Sequence, residues 1–351
     1  MKIIFVLQSL RKGGAERVVS LLSQTLENDG HKVTIVLFRN MIEYEYGGET
    51  ISIDSPPSSF KIVKVFRLKE RVKKLREIFN KEKPDLIFSF VESSNFASIL
   101  TGEKVVVSIR NNPLKKHTFW QRSLIKLLYK KNNVLKIVAV SNEIAEILKE
   151  KFGLDNVVSI PNPVIMDKKY EVREYLGEYH PFILAVGRLH PQKNFQMLIK
   201  AFMKTKASKE AKLLIVGEGD ERESLEKLII SLNAKNKVFL IGKRDNIKDY
   251  YKQASLFVLS SNYEGFPNAL AEALSFGVPS IATECPTGPK EMINNFENGI
   301  LTPVGNAFFM KYAIDRLYFD ETLKRKFRLN GRKSVENLKV EKIARRWLEL
   351  V

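Results

Sequence analysis

The feature that most constrains this chain is a recurring pattern of short, almost wholly apolar runs rich in Val and Ile, separated by amphipathic stretches. The first series reads IIFVL, KVTIVLF, DLIFSF, KVVVSI and KIVAV. A strand with one wet face alternates polar and apolar residues, so runs without a polar face predict strands covered on both sides, as in a parallel sheet between helices. A second series follows Pro161-Asn162-Pro163 and a polar stretch through His180, and reads FILAVG, KLLIVG, KVFLIG, LFVLSS and PSIAT. Two such series joined by a Pro-bearing segment predict an α/β protein of two Rossmann-like domains, with ligands bound at the carboxyl ends of their strands. The 351 residues suit that number. The expected boundaries are 1–163 and 164–334. A closing helix over 335–351 is expected to pack back across the domain junction through Trp347 and Leu348.

Composition narrows the setting. Cys285 is the only cysteine, so intrachain disulfides and Cys-based zinc sites are excluded and a reducing, cytoplasmic location is expected. The opening MKIIFVLQSL is cut by Gln8, Arg11 and Lys12; it is too short for a membrane span and reads as a first buried strand. Membrane contact is therefore expected to be peripheral. The formal charge of +18 calls for an anionic partner, whether nucleic acid, anionic lipid or phosphorylated substrate, or else reflects solvated Lys-rich surfaces.

Three motifs carry chemistry. In LRKGGAERVVSLL, Gly13 and Gly14 stand at a strand-to-helix turn, where open amides and the helix dipole favour phosphate. In VGRLHPQKN, Arg188 and Lys193 supply a planar fork and a compact charge, a pair suited to a diphosphate. The longest motif is SSNYEGFPNALAEALSFGVPSIAT. Its Pro267 suits the first turn of a helix and is expected to leave the amides of Asn268, Ala269 and Leu270 open as a phosphate cradle. Glu264 precedes that helix and Glu272 lies about one and a half turns into it. Two carboxylates beside a phosphate site repel it unless they bind hydroxyls, which a ribose and a sugar offer.

GGAER, GRLHPQKN, VGEGD and EGFPNALAEALSFGVPSIATECPTGPKEMI together resemble family 4 of the retaining, GT-B fold glycosyltransferases, over most of the chain. The resemblance implies two Rossmann-like domains facing a central cleft and a nucleotide-sugar donor, UDP-hexose or UDP-N-acetylhexosamine by family frequency. It implies that the amide of Gly14 approaches the donor phosphates, that Arg188 and Lys193 neutralise the departing diphosphate, that Glu272 holds the ribose and that Glu264 contacts the donor sugar. The base is expected near Lys243 and Arg244. Many members carry a histidine after the strand matching KVVVSI; this chain reads SIRNNP, placing Arg110 and Asn111 near the expected reaction centre. His31, His117, His180 and His190 are read as surface or structural residues. No Asp-x-Asp occurs, so no cofactor or metal is expected and the protein's cations are expected to replace a metal's charge.

Two stretches of the first half are basic, KIVKVFRLKERVKKLREIFNKEK and RNNPLKKHTFWQRSLIKLLYKKNNVLK. In the second, Phe119, Trp120, Leu124, Leu127, Leu128 and Tyr129 interleave with cations, and Lys115, Lys116, Trp120, Lys130 and Lys131 are expected to form a surface for an anionic membrane. Relatives of this organisation extend lipid-linked glycans, which makes a membrane-held acceptor the expected partner. A sugar-nucleotide 2-epimerase of the same fold, and a basic nucleic-acid-binding protein, are the alternatives.

Overall fold

The computed structural model describes residues 1–11, 13–55, 61–167 and 169–350; the side chains of Lys61, Ile62, Lys64 and Lys116 lie outside the described residues. The chain forms two compact units, Met1–Pro163 with Val340–Val351, and Val164–Lys339.

The first unit holds strands β1 (Lys2–Leu7), β2 (Lys32–Leu37), β3 (Glu49–Ser52), β4 (Leu86–Phe90), β5 (Val105–Ile109), β6 (Val134–Ala139) and β7 (Val157–Ser159). Its helices are α1 (Gly14–Asn28), α2 (Lys61–Glu82), α3 (Glu92–Leu100), α4 (Pro113–Lys116), α5 (Phe119–Leu128) and α6 (Asn142–Phe152). The sheet runs β3-β2-β1-β4-β5-β6-β7, every neighbouring pair parallel. β4 and β5 are buried at every residue, as their unbroken apolar runs require.

The second unit holds β8 (Phe182–Val186), β9 (Lys212–Val216), β10 (Val238–Gly242), β11 (Leu256–Leu259), β12 (Ser280–Thr283) and β13 (Ile300–Thr302). Its helices are α7 (Phe195–Phe202), α8 (Arg222–Ser231), α9 (Ile247–Gln253), α10 (Asn268–Ser275), α11 (Pro289–Met292), α12 (Ala307–Phe319) and α13 (Glu321–Ser334). The sheet order is β10-β9-β8-β11-β12-β13, again parallel throughout.

Both sheets reverse direction once. The chain winds outward from β1 to β3, then returns to lay β4 against β1; it likewise winds from β8 to β10 and returns to lay β11 against β8. At such a switch point the two loops leave the carboxyl edge in opposite directions and open a crevice. The crevices thus lie between the loops after β1 and β4, and between those after β8 and β11.

The three strands absent from the sequence reading, β3, β7 and β13, are edge strands of three or four residues. An edge strand is covered on fewer sides and carries no long apolar run.

The closing helix α14 (Val340–Leu348) belongs to the first unit, and the second extends to Lys339. Trp347 and Leu348, expected to pack back across the junction, belong to the first unit. Trp347 is fully buried in the first unit's core, edge-on to Phe88 and stacked on Phe90, each with centroids 5.1 Å apart. Leu348 packs on the same cluster. An indole of this size fills the space above β4 that the preceding helices leave open.

Candidate functional site

In the second unit, the loop after β8 carries Arg188 and Lys193. A short 3-10 turn, Pro191–Lys193, is capped by the His190 side chain, which accepts from the Gln192 N–H. The stem of Lys193 lies over Gly187, where a Cβ would stand 3.0 Å from Lys193 Cε. Gly217, with φ +147°, brings the VGEGD loop against the same turn; a Cβ there would meet the Gly187 carbonyl oxygen at 1.9 Å. Only glycine permits that approach.

Across the switch point, the loop after β11 delivers Glu264. Its carboxylate is buried and accepts from Lys193 Nζ and Ser261 Oγ at 2.5 Å each, with Gln192 Nε2 at 3.4 Å. The Glu264 N–H donates to the Pro286 carbonyl at 2.7 Å, and Thr287 Oγ1 donates to the Glu264 carbonyl at 2.9 Å. Held at backbone and carboxylate alike, this side chain has one position from which to meet a ligand hydroxyl. Arg188 is exposed, and among the described residues no hydrogen bond or ion pair holds its guanidinium. The two cations therefore differ: Lys193 is anchored on Glu264, and Arg188 has no partner among the described residues.

The cradle at α10 is narrower than the sequence suggests. Pro267 precedes the first helical residue as N-cap, with ψ 84°. The Asn268 amide donates to Phe266 and that of Leu270 to Pro267, both at 3.0 Å. Of the three amides, that of Ala269 donates to no backbone acceptor among the described residues. Glu272 stands half-buried on this helix, four residues after its start. Arg244 is exposed in the loop after β10 and hydrogen-bonds the Tyr250 phenol; burial raises that phenol's pKa and the Arg244 contact opposes the rise. Beside Glu264, burial pushes the Cys285 thiol up to about 12, and the neighbouring carboxylate acts in the same direction.

In the first unit, Gly13 is the N-cap of α1 and Gly14 its first residue. The Glu16 carboxylate folds back to where a Cβ of Gly13 would stand. A first-turn acid thus occupies space that the sequence reading left to phosphate, a common use of the helix dipole. Gln8 Nε2 donates to Ser93 Oγ at 2.8 Å, joining the loop after β1 to the first turn of α3. Val91 there has φ +71°, a conformation β-branched residues avoid, at the N-cap of α3.

Arg110 follows β5 and is buried. It donates to Ser108 Oγ at 3.1 Å and to Asn162 Oδ1, lies 5.6 Å from the Phe90 ring centroid, and leaves Nε without a partner. Burial lowers its pKa to about 9 with no carboxylate opposing, so it stays charged at neutral pH. Asn111 is exposed. His117, read as surface or structural, is buried with Nε2 2.9 Å from Glu92 Oε1. Asn95 Nδ2 donates to Tyr129 Oη at 2.8 Å and to the Ser108 carbonyl at 2.9 Å. Glu92, Ser93 and Asn95 escaped the sequence reading; the signal was the polar VESSN directly after an apolar strand.

The basic stretches divide their labour. On α2, Arg71 is buried, donates to Ser55 and packs 4.5 Å over Phe38, and Arg76 donates to the Thr101 and Leu100 carbonyls. On α5, a Thr118–Gln121 capping box starts the helix, Ile125 and Leu128 are buried, and Phe119, Trp120 and Leu127 are 74%, 77% and 69% exposed. Lys115, Lys130 and Lys131 are exposed beside them; the side chain of Lys116 lies outside the described residues. Tyr129, expected on this face, is instead fully buried. No helix among the described residues is long and apolar enough to cross a membrane. Nor does any group of three or more His, Cys, Asp or Glu among them fit a metal ion.

Two doubly wound parallel units, the second with an open cation and a clamped carboxylate at its switch point, have the architecture of the GT-B fold. Residues 12–168 match the family model described as Glycosyltransferase Family 4, and 168–334 that described as Glycosyl transferases group 1. The chain belongs to the family 4 glycosyltransferases and is a glycosyltransferase. It is 29% identical to an uncharacterized glycosyltransferase of Methanocaldococcus jannaschii, over 80% of this chain and 75% of that one. It is 26% identical, over 100% and 98% of the two chains, to a Campylobacter jejuni enzyme named as an alpha-1,4-N-acetyl-D-galactosaminyltransferase acting on GalNAc-alpha-(1->4)-GalNAc-alpha-(1->3)-diNAcBac-PP-undecaprenol. Among solved structures, Anabaena HepE in complex with UDP-glucose superposes with a TM-score of 0.85 at 19% identity, covering 99% of this chain and 98% of that one.

Proposed function

We propose that this glycosyltransferase moves a sugar, with retention of configuration, from a UDP-hexose or UDP-N-acetylhexosamine to a lipid-linked glycan at an anionic membrane surface on the cytoplasmic side. The observation that carries this reading is the switch point of the second unit, where Glu264 is clamped by Lys193 and Ser261 while Arg188 stays open to an anion. Arg188 and Lys193 meet the charge that grows on the diphosphate as the anomeric C–O bond breaks, which favours the transition state over the ground state. Glu264 holds the donor sugar, Glu272 the ribose, and the Ala269 amide at α10 a phosphate oxygen. The acceptor hydroxyl attacks from the face that the diphosphate leaves, and its proton passes to the departing phosphate oxygen. With cations in this role the reaction needs no metal. The UDP-glucose complex of HepE and the undecaprenol-linked acceptor named for the Campylobacter relative support donor and acceptor classes. The exposed apolar and basic face of α5 supports the membrane.

The test is a thermal-shift panel of nucleotide sugars followed by transfer to a polyprenyl diphosphate-linked glycan in excess EDTA. The accepted donor at 100 times its dissociation constant should stabilise the protein by about 2.7 kcal/mol, and transfer should persist in EDTA. No shift with any UDP-sugar, or loss of transfer restored by Mn²⁺ or Mg²⁺, overturns the donor or the metal-free part respectively. Donor consumption without added acceptor would instead indicate an epimerase.

A further inference from the structure

The second unit has a cleft of about 500 Å³ at the edge of the sheet opposite Arg188 and Glu264. Its walls include His180 before β8, Ser255 before β11 and Pro279 before β12, so it opens at the amino ends of these strands. Four cations converge there from two elements, Lys252 on α9 and Lys324, Arg328 and Arg332 on α13, against one carboxylate, Glu321. The lining thus carries a surplus of three positive charges.

The α13 cations recur every four residues and so line one face of the helix over about 12 Å. Like charges at that spacing destabilise an isolated helix, so the row calls for a compensating anion. Glu321 pairs with Lys324, itself only 8% exposed, and leaves Arg328 and Lys252 exposed on the rim. Arg332 is exposed as well, but it is anchored. Its Nη2 donates to the Phe276 carbonyl at 2.9 Å, and Gly277, at φ +71°, gives it room, since a Cβ there would stand 2.6 Å from Arg332 Nε. A guanidinium anchored through one nitrogen keeps donors for a ligand.

We propose that this cleft is a second ligand site, separate from the sugar-transfer site, that takes a multiply charged phosphate. A free diphosphate-bearing metabolite and a phospholipid headgroup share this chemistry. The row on α13 engages more than one phosphate oxygen, and Lys252 closes the site from the opposite wall.

The experiment uses the full chain and a K252E/R328E variant, both substitutions being at exposed positions. Calorimetric titration with inorganic pyrophosphate is done with the donor site saturated by UDP, and co-sedimentation with phosphatidylglycerol vesicles runs in parallel. A UDP affinity equal to that of the unaltered protein confirms that the variant is folded. Pyrophosphate binding beyond UDP, weakened at least tenfold by the variant, supports the site with a soluble ligand. Vesicle binding weakened in the variant, with no pyrophosphate binding beyond UDP, supports it with a headgroup. If neither measurement differs between the two proteins, the proposal is overturned.

Discussion

At the scale of single residues, Arg188 and Lys193 were indistinguishable loop cations in the sequence and have separate jobs in the structure. Lys193 is anchored on Glu264 at 2.5 Å and keeps further N–H donors, and Arg188 is open. Arg188→Ala should therefore cut transfer at least about tenfold while leaving the melting temperature near that of the parent, since it removes a charged contact of roughly 1.5–3 kcal/mol to donor and none within the protein. Glu272→Ala should lose as much through the ribose. Full activity in both folded variants would remove these residues from the site. Cys285 allows a simpler check. Burial holds its pKa at about 12, so at pH 8 the thiolate is scarce and shielded, and Ellman's reagent should leave the native protein unlabelled and label one thiol after unfolding. Prompt labelling of the native state would mean that the loop beside Glu264 opens.

At the scale of elements, α5 and α2 show how one composition serves two ends. Cations of α2 donate to backbone carbonyls at the end of α3 and just after β3, whereas α5 shows Phe119, Trp120 and Leu127 to solvent beside exposed lysines. Each Lys near an anionic bilayer adds about 1 kcal/mol, and salt weakens the attraction. Replacing Lys115, Lys116, Lys130 and Lys131 with Gln should release the protein from anionic liposomes, leave nucleotide-sugar affinity intact, and reduce activity on lipid acceptors more than on short soluble analogues. Liposome binding unchanged by the four substitutions would make this face an ordinary wet one. The exposure of α5 was legible in its interleaved aromatics and cations. The burial of Tyr129 one residue beyond it was not, because the hydrogen bond from Asn95 comes from α3, distant in sequence.

At the scale of the whole molecule, α14 returns the chain to the first unit and places Trp347 against Phe88 and Phe90. Trp347→Ala should cost that unit about 3–5 kcal/mol, read as a lowered denaturation midpoint, with the second unit's transition little changed. A single unaltered transition would place the tryptophan outside the stabilising core. The sequence by itself determined the α/β class, the two parallel sheets, the division at Pro163 and the motif loops that carry Arg188, Lys193 and Glu264. Runs without a polar face admit few other folds, and glycines at strand ends mark where the backbone must turn closely. Only the tertiary structure decided the short edge strands, the pairing of Lys193 with Glu264, the closure of two α10 amides, the Glu16 carboxylate over Gly13, and the burial of Arg110 and His117. Each depends on which strand ends lie side by side, and that adjacency is set by the reversal of strand order in each sheet, which no local stretch of sequence encodes.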